Sequence, residues 1–388
     1  MLKLVIEKVL IKENNMVSKN NKDIKKYIEL VVNNMMNMGD ADYDMDKETS
    51  SDSHSKGLIA RDFGIMEWDW PQGVGIYGLA MLQKHYGDAR YDDFLNNWFK
   101  ANIEKGLPSK NINTTAPYLT LIDLARRTGN KAYEAMCVEH ANWLVNDLPK
   151  TKEGAFQHVT TSIGDRNSII LNDSELWIDT LFMSVLFLAK MGEYYNNPIW
   201  RSEALKQVLV HIKYLYNKET GLFYHGWSFN RNDNYGGHFW CRGNSWFTFG
   251  ITDYLDIVGD NIDRGVRTYI VDTYLAQVNA LKELQSESGL WHTVLTDSTS
   301  YEEVSGTAGM IKGIIKGIKL GLLDESYISI AEKGIAGIIN NISEDGTVLN
   351  VSAGTAISDD VNHYKNIIIR PMAYGQSLAL AALAESLG

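Results

Sequence analysis

Six times along the chain a polar, helix-length segment is followed by a more apolar one. The pairs run from Ile24 to about Met38 with Trp68–His85, Arg90–Glu104 with Thr114–Thr128, and Lys131–Asp147 with Glu175–Tyr194. They continue as Pro198–Tyr216 with Phe239–Val258, Arg264–Glu283 with Ser305–Gly321, and Asp324–Asn341 with Met372–Ser386. Successive pairs lie roughly 45 to 70 residues apart, longer than a solenoid repeat. A helix that is apolar on every side must be enclosed by other elements, whereas its polar partner can face water. Two concentric rings meet both demands. The expected fold is therefore all-α, an (α/α)6 barrel of six inner and six outer helices, with one mouth built from the long loops that precede the inner helices.

The connections repeat as well. Glu153-Gly-Ala-Phe-Gln-His158, Glu219-Thr-Gly-Leu-Phe-Tyr-His225, Glu287-Ser-Gly-Leu-Trp-His292 and Glu344-Asp-Gly-Thr-Val-Leu349 each set a glycine beside an acidic residue, ahead of aromatic or apolar ones. Such a glycine marks a turn that needs positive φ. Gly309, Gly313, Gly317 and Gly321, four apart, form a smooth stripe that lets a neighbouring helix approach; Lys312, Lys316 and Lys319 argue against a membrane dimer motif there. Residues 1–23 read as a flexible N-terminal extension and 24–388 as a single barrel domain. The charged, Ser-rich loop Gly39–Arg61 is long enough to be functional or mobile.

Within the third apolar segment, Asp179 is the only charge in the run Leu176–Ala189. Read as part of a buried helix, an unpartnered carboxyl there has its pKa raised and becomes a candidate proton donor; the alternative is a structural Asp bonded to backbone or to a buried Arg. Asn172-Asp-Ser-Glu175 reads as the helix start, with Glu175 reaching back as in a capping box, and a charge on Glu175 would raise Asp179 further. Arg242 and Trp246, four apart at the start of the fourth apolar helix, project from one face toward the mouth. Arg242 can hold a carboxylate, and Trp240 and Trp246 offer flat faces of the kind sugar rings pack against; the plainer reading makes both Trp core and pairs Arg242 with a structural acid. His158 and His225 end equivalent connections and should lie beside the same mouth, as structural or as reactive groups. Trp70 adds an aromatic wall. Glu67 and Asp69 are further carboxylates, and Asp69 can simply start a helix.

A net charge of −11 without a basic run excludes nucleic acid and an anionic membrane surface as natural partners. Cys137 and Cys241 are too few for a disulfide framework and fit a reducing compartment, and the nine histidines show no metal-ligand spacing, so neither a metal nor another cofactor is expected. The first fifteen residues are interrupted by Lys3, Glu7 and Lys8, unlike a signal peptide, and no stretch is long and uncharged enough to span a bilayer. A cytoplasmic location is expected.

Asn172-Asp-Ser-Glu-Leu-Trp-Ile-Asp-Thr-Leu-Phe-Met183, Gly221-Leu-Phe-Tyr-His-Gly-Trp227 and Phe239-Trp-Cys-Arg-Gly-Asn-Ser-Trp246 resemble signature segments of glycoside hydrolase family 105, the unsaturated rhamnogalacturonyl hydrolases. The unsaturated glucuronyl hydrolases of family 88 share the fold. The likeness runs from about Ile24 to the C-terminus. It implies an (α/α)6 barrel acting on oligosaccharides whose non-reducing end is a 4,5-unsaturated uronic acid left by a polysaccharide lyase. It further implies Asp179 as general acid/base and His158, His225, Trp240, Arg242 and Trp246 as substrate-pocket positions, with Trp70 where the family places an aromatic residue. Asn113, in Asn113-Thr-Thr-Ala-Pro117, is a departure, because characterised members often carry a second Asp there.

The implied chemistry is hydration of a vinyl ether, with one carboxyl cycling between acid and base. Three rival readings stay open on the sequence. An inverting glycosidase would pair Asp179 with Asp69 or Glu67, a sugar epimerase of the same barrel would exchange protons through His158 and His225, and a non-catalytic sugar-binding protein would keep only the aromatics and Arg242.

Overall fold

The computed structural model describes residues 24–39, 64–162 and 165–387. The N-terminal extension, 1–23, and all of the Gly39–Arg61 loop except Gly39 lie outside these residues. Helix α1 covers residues 24–36. The outer ring continues with α3 (Asp92–Lys105), α6 (Lys131–Asn146), α8 (Pro198–Leu215), α10 (Arg264–Leu284) and α12 (Ile328–Ile339). The inner ring is α2 (Trp70–Tyr86), α5 (Tyr118–Thr128), α7 (Leu186–Tyr194, entered through a π-helical turn at Leu181–Val185), α9 (Cys241–Val258), α11 (Val304–Lys319) and α14 (Ala373–Ser386). Two short helices, α4 (Ile112–Thr115) and α13 (Val361–Lys365), lie in the connecting loops.

Neighbouring inner helices pack in chain order and α14 packs back on α2, which closes the (α/α)6 ring. The inner set is the core. Every residue of α9 from Cys241 to Leu255 is buried, as is every residue of α14 from Ala373 to Ala384. The glycine stripe acts as the sequence predicts: a Cβ on Gly309 would meet Ser245 of α9 at 2.9 Å, and one on Gly313 would run into the Thr248 carbonyl. α11 and α9 therefore pack at backbone distance.

The turn glycines of the repeated connections have positive φ, 75° at Gly154, 77° at Gly221, 89° at Gly289 and 85° at Gly346. Each also seats its turn on the outer helix of the following repeat. A Cβ at Gly221 would lie 2.7 Å from the Ala276 carbonyl of α10, and the corresponding contacts of Gly289 and Gly346 are with Lys333 of α12 and Leu30 of α1. The outer ring is thereby closed from α12 back to α1, where Asn34 bonds Thr347 at 3.0 Å and Gln376 at 3.1 Å.

The all-α expectation did not include three two-stranded antiparallel ribbons: β1 (Thr160–Ser162) with β2 (Asp165–Ile170), β3 (Glu175–Trp177) with β4 (Gly226–Ser228), and β5 (Trp291–His292) with β6 (Glu302–Glu303). The first and third are hairpins within one connection, whereas β3 with β4 joins two connections that precede successive inner helices and pairs their backbone groups. No helix among the described residues is long and apolar enough to cross a membrane.

Candidate active site

β3 fixes the site. Its register sets Trp177 opposite Gly226, and the next amide, Ile178 N–H, donates to the His225 carbonyl at 3.0 Å. On the other flank, His158 N–H donates to the Glu175 carbonyl at 3.0 Å. The two histidines of equivalent connections thus converge on one strand, with the Trp177 ring between them. His158 stacks on that ring at 4.2 Å and 8°, and His225 meets its edge at 5.4 Å.

Asp179 follows directly, and here the structure corrects the sequence in two respects. The segment from Glu175 is a strand and a turn, and helix begins only at Leu181. Asp179 therefore precedes the helix, and its carbonyl accepts from Phe182 and Met183 at 3.1 and 3.0 Å. Asn172 and Ser174 are not a helix cap either. Both adopt positive φ, and the Asn172 amide donates to the His158 carbonyl at 2.6 Å. Glu175 accepts from Trp177 Nε1 at 2.7 Å and from the Tyr235 hydroxyl, so it steadies the ring between the histidines. The second correction concerns sign. Burial pushes the Asp179 carboxyl up, but contact with His225 and the surrounding His225, His158 and Arg242 side chains outweigh it and hold the group below the ordinary carboxylate value. An acid at a helix entrance among three basic side chains is an anion, where an acid inside an apolar helix would not be.

His225 Nε2 lies 3.4 Å from Asp179 Oδ2, close enough for attraction yet outside hydrogen-bond geometry, so both atoms are buried without a bond. Three more buried donors around them are equally unpaired: Trp240 Nε1, Trp246 Nε1 and Arg242 Nε. Buried polar atoms in native proteins are normally bonded, so a cluster of five points to the place a polar ligand would complete. Asp179 Oδ1 is neither bonded nor buried, which leaves it facing the opening. Trp240 packs on His225 at 4.4 Å, and Trp246 packs on Phe182 at 5.1 Å and edge-on to Trp70 at 6.4 Å. Half-buried Trp70 stacks on Tyr374 at 4.5 Å.

Arg242 is placed differently from the free carboxylate clamp read from the sequence. It is fully buried, with its NH1 and NH2 groups donating to the Ser352 and Ala353 carbonyls at 2.8 and 2.7 Å, and it stands 3.8 Å from Glu303. Glu303 in turn bonds the first amides of α11, Ser305 and Gly306, and the amide of Ser352. Arg242 thus braces the loop behind the pocket, and only its Nε is left over. His158 is held neutral, burial lowering its pKa to about 3, with its Nδ1 at 3.0 Å from Thr180 Oγ1. Asn113 sits half-buried in α4, whose Ile112 carbonyl accepts from Ser184 at 3.3 Å. The other carboxylates are engaged elsewhere. Asp69 caps α2 through Trp70 N–H at 2.8 Å and accepts from Thr161, and Glu67 pairs with Lys105 toward the surface.

Sequence reading missed Trp177, Thr180 and Tyr364. Trp177 and Thr180 lay inside the quoted motif, where a run read as one buried helix gave no sign of the strand and turn that place them beside His158. Tyr364 lies in a polar loop with no periodicity, and its hydroxyl stands 2.9 Å from His225 Nδ1.

A second cavity, of about 910 Å3, opens where the inner helices end, lined by Lys84, Asp123, Lys190, Glu193, Asp256, Lys316 and Glu385 among others. It shares no residue with the mouth.

The family model for Glycosyl Hydrolase Family 88 matches residues 44–388. An unsaturated rhamnogalacturonyl hydrolase of Bacillus subtilis is 32% identical over 347 residues, covering 89% of this chain and 96% of that protein. A Salmonella enterica structure described as a possible member of the GH105 family superposes with a TM-score of 0.85 at 36% identity, over 95% of this chain and 94% of that one. The unsaturated glucuronyl hydrolase of Bacillus sp. GL1 matches at a TM-score of 0.63 and 17% identity, over 82% of this chain and 86% of its own, a likeness of fold.

Proposed function

The chain belongs to glycosyl hydrolase family 88, and on that premise we propose that residues 24–388 act as one catalytic domain that removes a 4,5-unsaturated uronic acid from the non-reducing end of lyase-generated oligosaccharides. The relative of known activity supports a rhamnogalacturonan fragment as the substrate. The observation that carries the reading is the group of five unpaired buried polar atoms around Asp179, in a pocket walled by Trp70, Trp177, Trp240 and Trp246.

Asp179 is assigned the acid/base role. In the empty site it is ionised. Entry of the uronate brings a like charge and expels water, and both raise the carboxyl pKa, so the group takes up its proton when substrate arrives. Oδ1 then protonates C4 of the vinyl ether, positive charge develops at C5 and the ring oxygen, and the regenerated carboxylate takes a proton from the water that adds to C5. The hemiketal opens and releases the neighbouring sugar. Trp240 and Trp246 are buried core rings, 1% and 0% exposed, that direct unpaired N–H groups rather than open faces to the site, and Arg242 adds a fixed positive charge behind it.

Among the described residues, the two carboxylates an inverting glycosidase would pair with Asp179 are engaged otherwise, Asp69 as a helix cap and Glu67 in a surface ion pair. The epimerase reading needs two histidines that exchange protons near neutrality, and His158 titrates near pH 3. Buried, unpaired thiols at Cys137 and Cys241 suit a reducing compartment, and we assign the activity to the cytoplasm. The test is the decay of ultraviolet absorbance of the conjugated double bond across a panel of lyase-generated disaccharides. Consumption of saturated disaccharides with no loss of that absorbance would overturn the reading.

A further inference from the structure

We propose that Tyr364 is a positioning residue for the acid/base: through His225 it fixes which ring nitrogen carries the proton, and so which oxygen of Asp179 is left for the substrate. The proposal rests on the role assigned to Asp179 above.

Tyr364 is 1% exposed, and its hydroxyl has two polar neighbours among the described residues: His225 Nδ1 at 2.9 Å and the Ser358 backbone N–H, which donates to it at 3.2 Å. Two tautomers of a neutral His225 are conceivable, and they differ in what they leave unpaired. With the proton on Nδ1, the phenol oxygen would accept twice and its own buried O–H would have no acceptor. The bare Nε2 would then face Oδ2 of Asp179 at 3.4 Å, lone pair against lone pair. With the proton on Nε2, the phenol donates to Nδ1 and the ring presents an N–H to Oδ2. An unsatisfied buried donor costs roughly 1–3 kcal/mol, so the second arrangement wins. Burial also pushes the phenol pKa up, keeping its proton in place.

The carboxyl is divided as a result. Oδ2 is drawn to His225, while Oδ1 faces the opening.

Tyr364 is delivered to this position by a loop anchored on the strand that follows His225. The Ile357 side chain fills the notch left by Gly226 of β4, and Arg231 holds Asp359 through paired bonds of 2.7 and 2.6 Å. The ionisable groups around the ring are Asp179 and His158 on one side, Arg242 from α9, and His238, Asp359 and His363 on the loop side of Tyr364.

The experiment combines kinetics with 15N spectra of histidine-labelled protein, wild type and Tyr364→Phe. The wild-type spectrum should show the His225 proton on Nε2 with Nδ1 accepting from the phenol, and the Tyr364→Phe spectrum a mixture of tautomers. Turnover of an unsaturated disaccharide by the variant should fall roughly 10- to 100-fold in kcat with KM within about threefold, in a protein that still folds but with a lowered unfolding midpoint, since Ser358 N–H and His225 lose their partner. A wild-type His225 protonated on Nδ1, or an unchanged kcat in Tyr364→Phe, would overturn the proposal. The wild-type spectrum needs neither substrate nor variant. Inactivity of the wild-type enzyme on every unsaturated uronide would therefore refute the hydrolase reading separately, while the spectrum still decides the tautomer.

Discussion

The two ends of the inner helices are both polar, yet only one is left incomplete. Where the helices end, every deeply placed charge has a partner. Lys190 meets Asp123 at 2.7 Å, Lys316 meets Asp256 at 2.7 Å, and Lys319 meets Glu385 at 3.2 Å. Fully buried Lys312 is paired with Asp253, which also accepts from Tyr77 at 2.9 Å, and it lies 4.0 Å from the Phe249 ring. No atom lining the far cavity is among the unpaired buried ones. Where the helices begin, Asp179 Oδ2, His225 Nε2, Trp240 Nε1, Trp246 Nε1 and Arg242 Nε are among the buried polar atoms that lack partners. Charge alone would favour the far end as the site. Unsatisfied bonding capacity selects the mouth, because only there would a ligand supply something that folding left out.

The sharpest way to break this contrast is Asp179→Asn. Its expected effect is a loss of at least about 10²-fold in kcat, measured by the double-bond absorbance, with the fold retained and the unfolding midpoint held or slightly lowered, since the folded protein favours the carboxylate. Near-wild-type turnover would remove Asp179 from the chemistry and the mouth from consideration.

At the far end the signature should be inverted. Asp253→Ala strands the ammonium of Lys312, and a loss of about 3–5 kcal/mol is expected in denaturant unfolding, with kcat per folded molecule unchanged. Replacing both partners, Asp253→Leu with Lys312→Met, should return most of that stability. A fall in kcat in the well-folded double variant would mean the far cavity takes part in the reaction.

Acidification probes the wall between the two ends. Burial lowers His140 and His158 to about 3 and His211 to about 4. Unfolding lets each take up a proton near its ordinary value, so the unfolded state binds more protons and stability falls as pH drops. The loss begins near pH 6.5 and amounts to about 1.4 kcal/mol per pH unit for each histidine until its folded pKa is reached. Chemical denaturation between pH 7 and 4.5 measures it, and a flat profile would contradict neutral, buried imidazoles. The smallest effect is reserved for Asn113→Asp. A new anion beside a uronate pocket should raise KM by roughly fivefold, about 1 kcal/mol, and an unchanged KM and kcat would place Asn113 outside the pocket.

Asp179 shows how far the primary structure could be read. Its isolation in an apolar run marked it, and the matched turns of His158 and His225 marked its neighbours. Its protonation state was misread, because that depends on where a helix starts and on which side chains arrive from other repeats. Arg242 shows the same division: its type and place were legible, but its engagement with Ser352, Ala353 and Glu303 comes from residues far along the chain.

What the sequence by itself determined is the alternation of polar and apolar helices, the turn glycines and the end of the barrel at which the candidate residues gather, since periodicity and backbone sterics act within a few residues. Tertiary structure decided the rest: the β3 and β4 pairing that brings the histidines together, the sign of the Asp179 shift, the burial of Arg242 and the reach of Tyr364 to His225. Each depends on bonds between segments tens to more than a hundred residues apart, whose geometry no local pattern encodes.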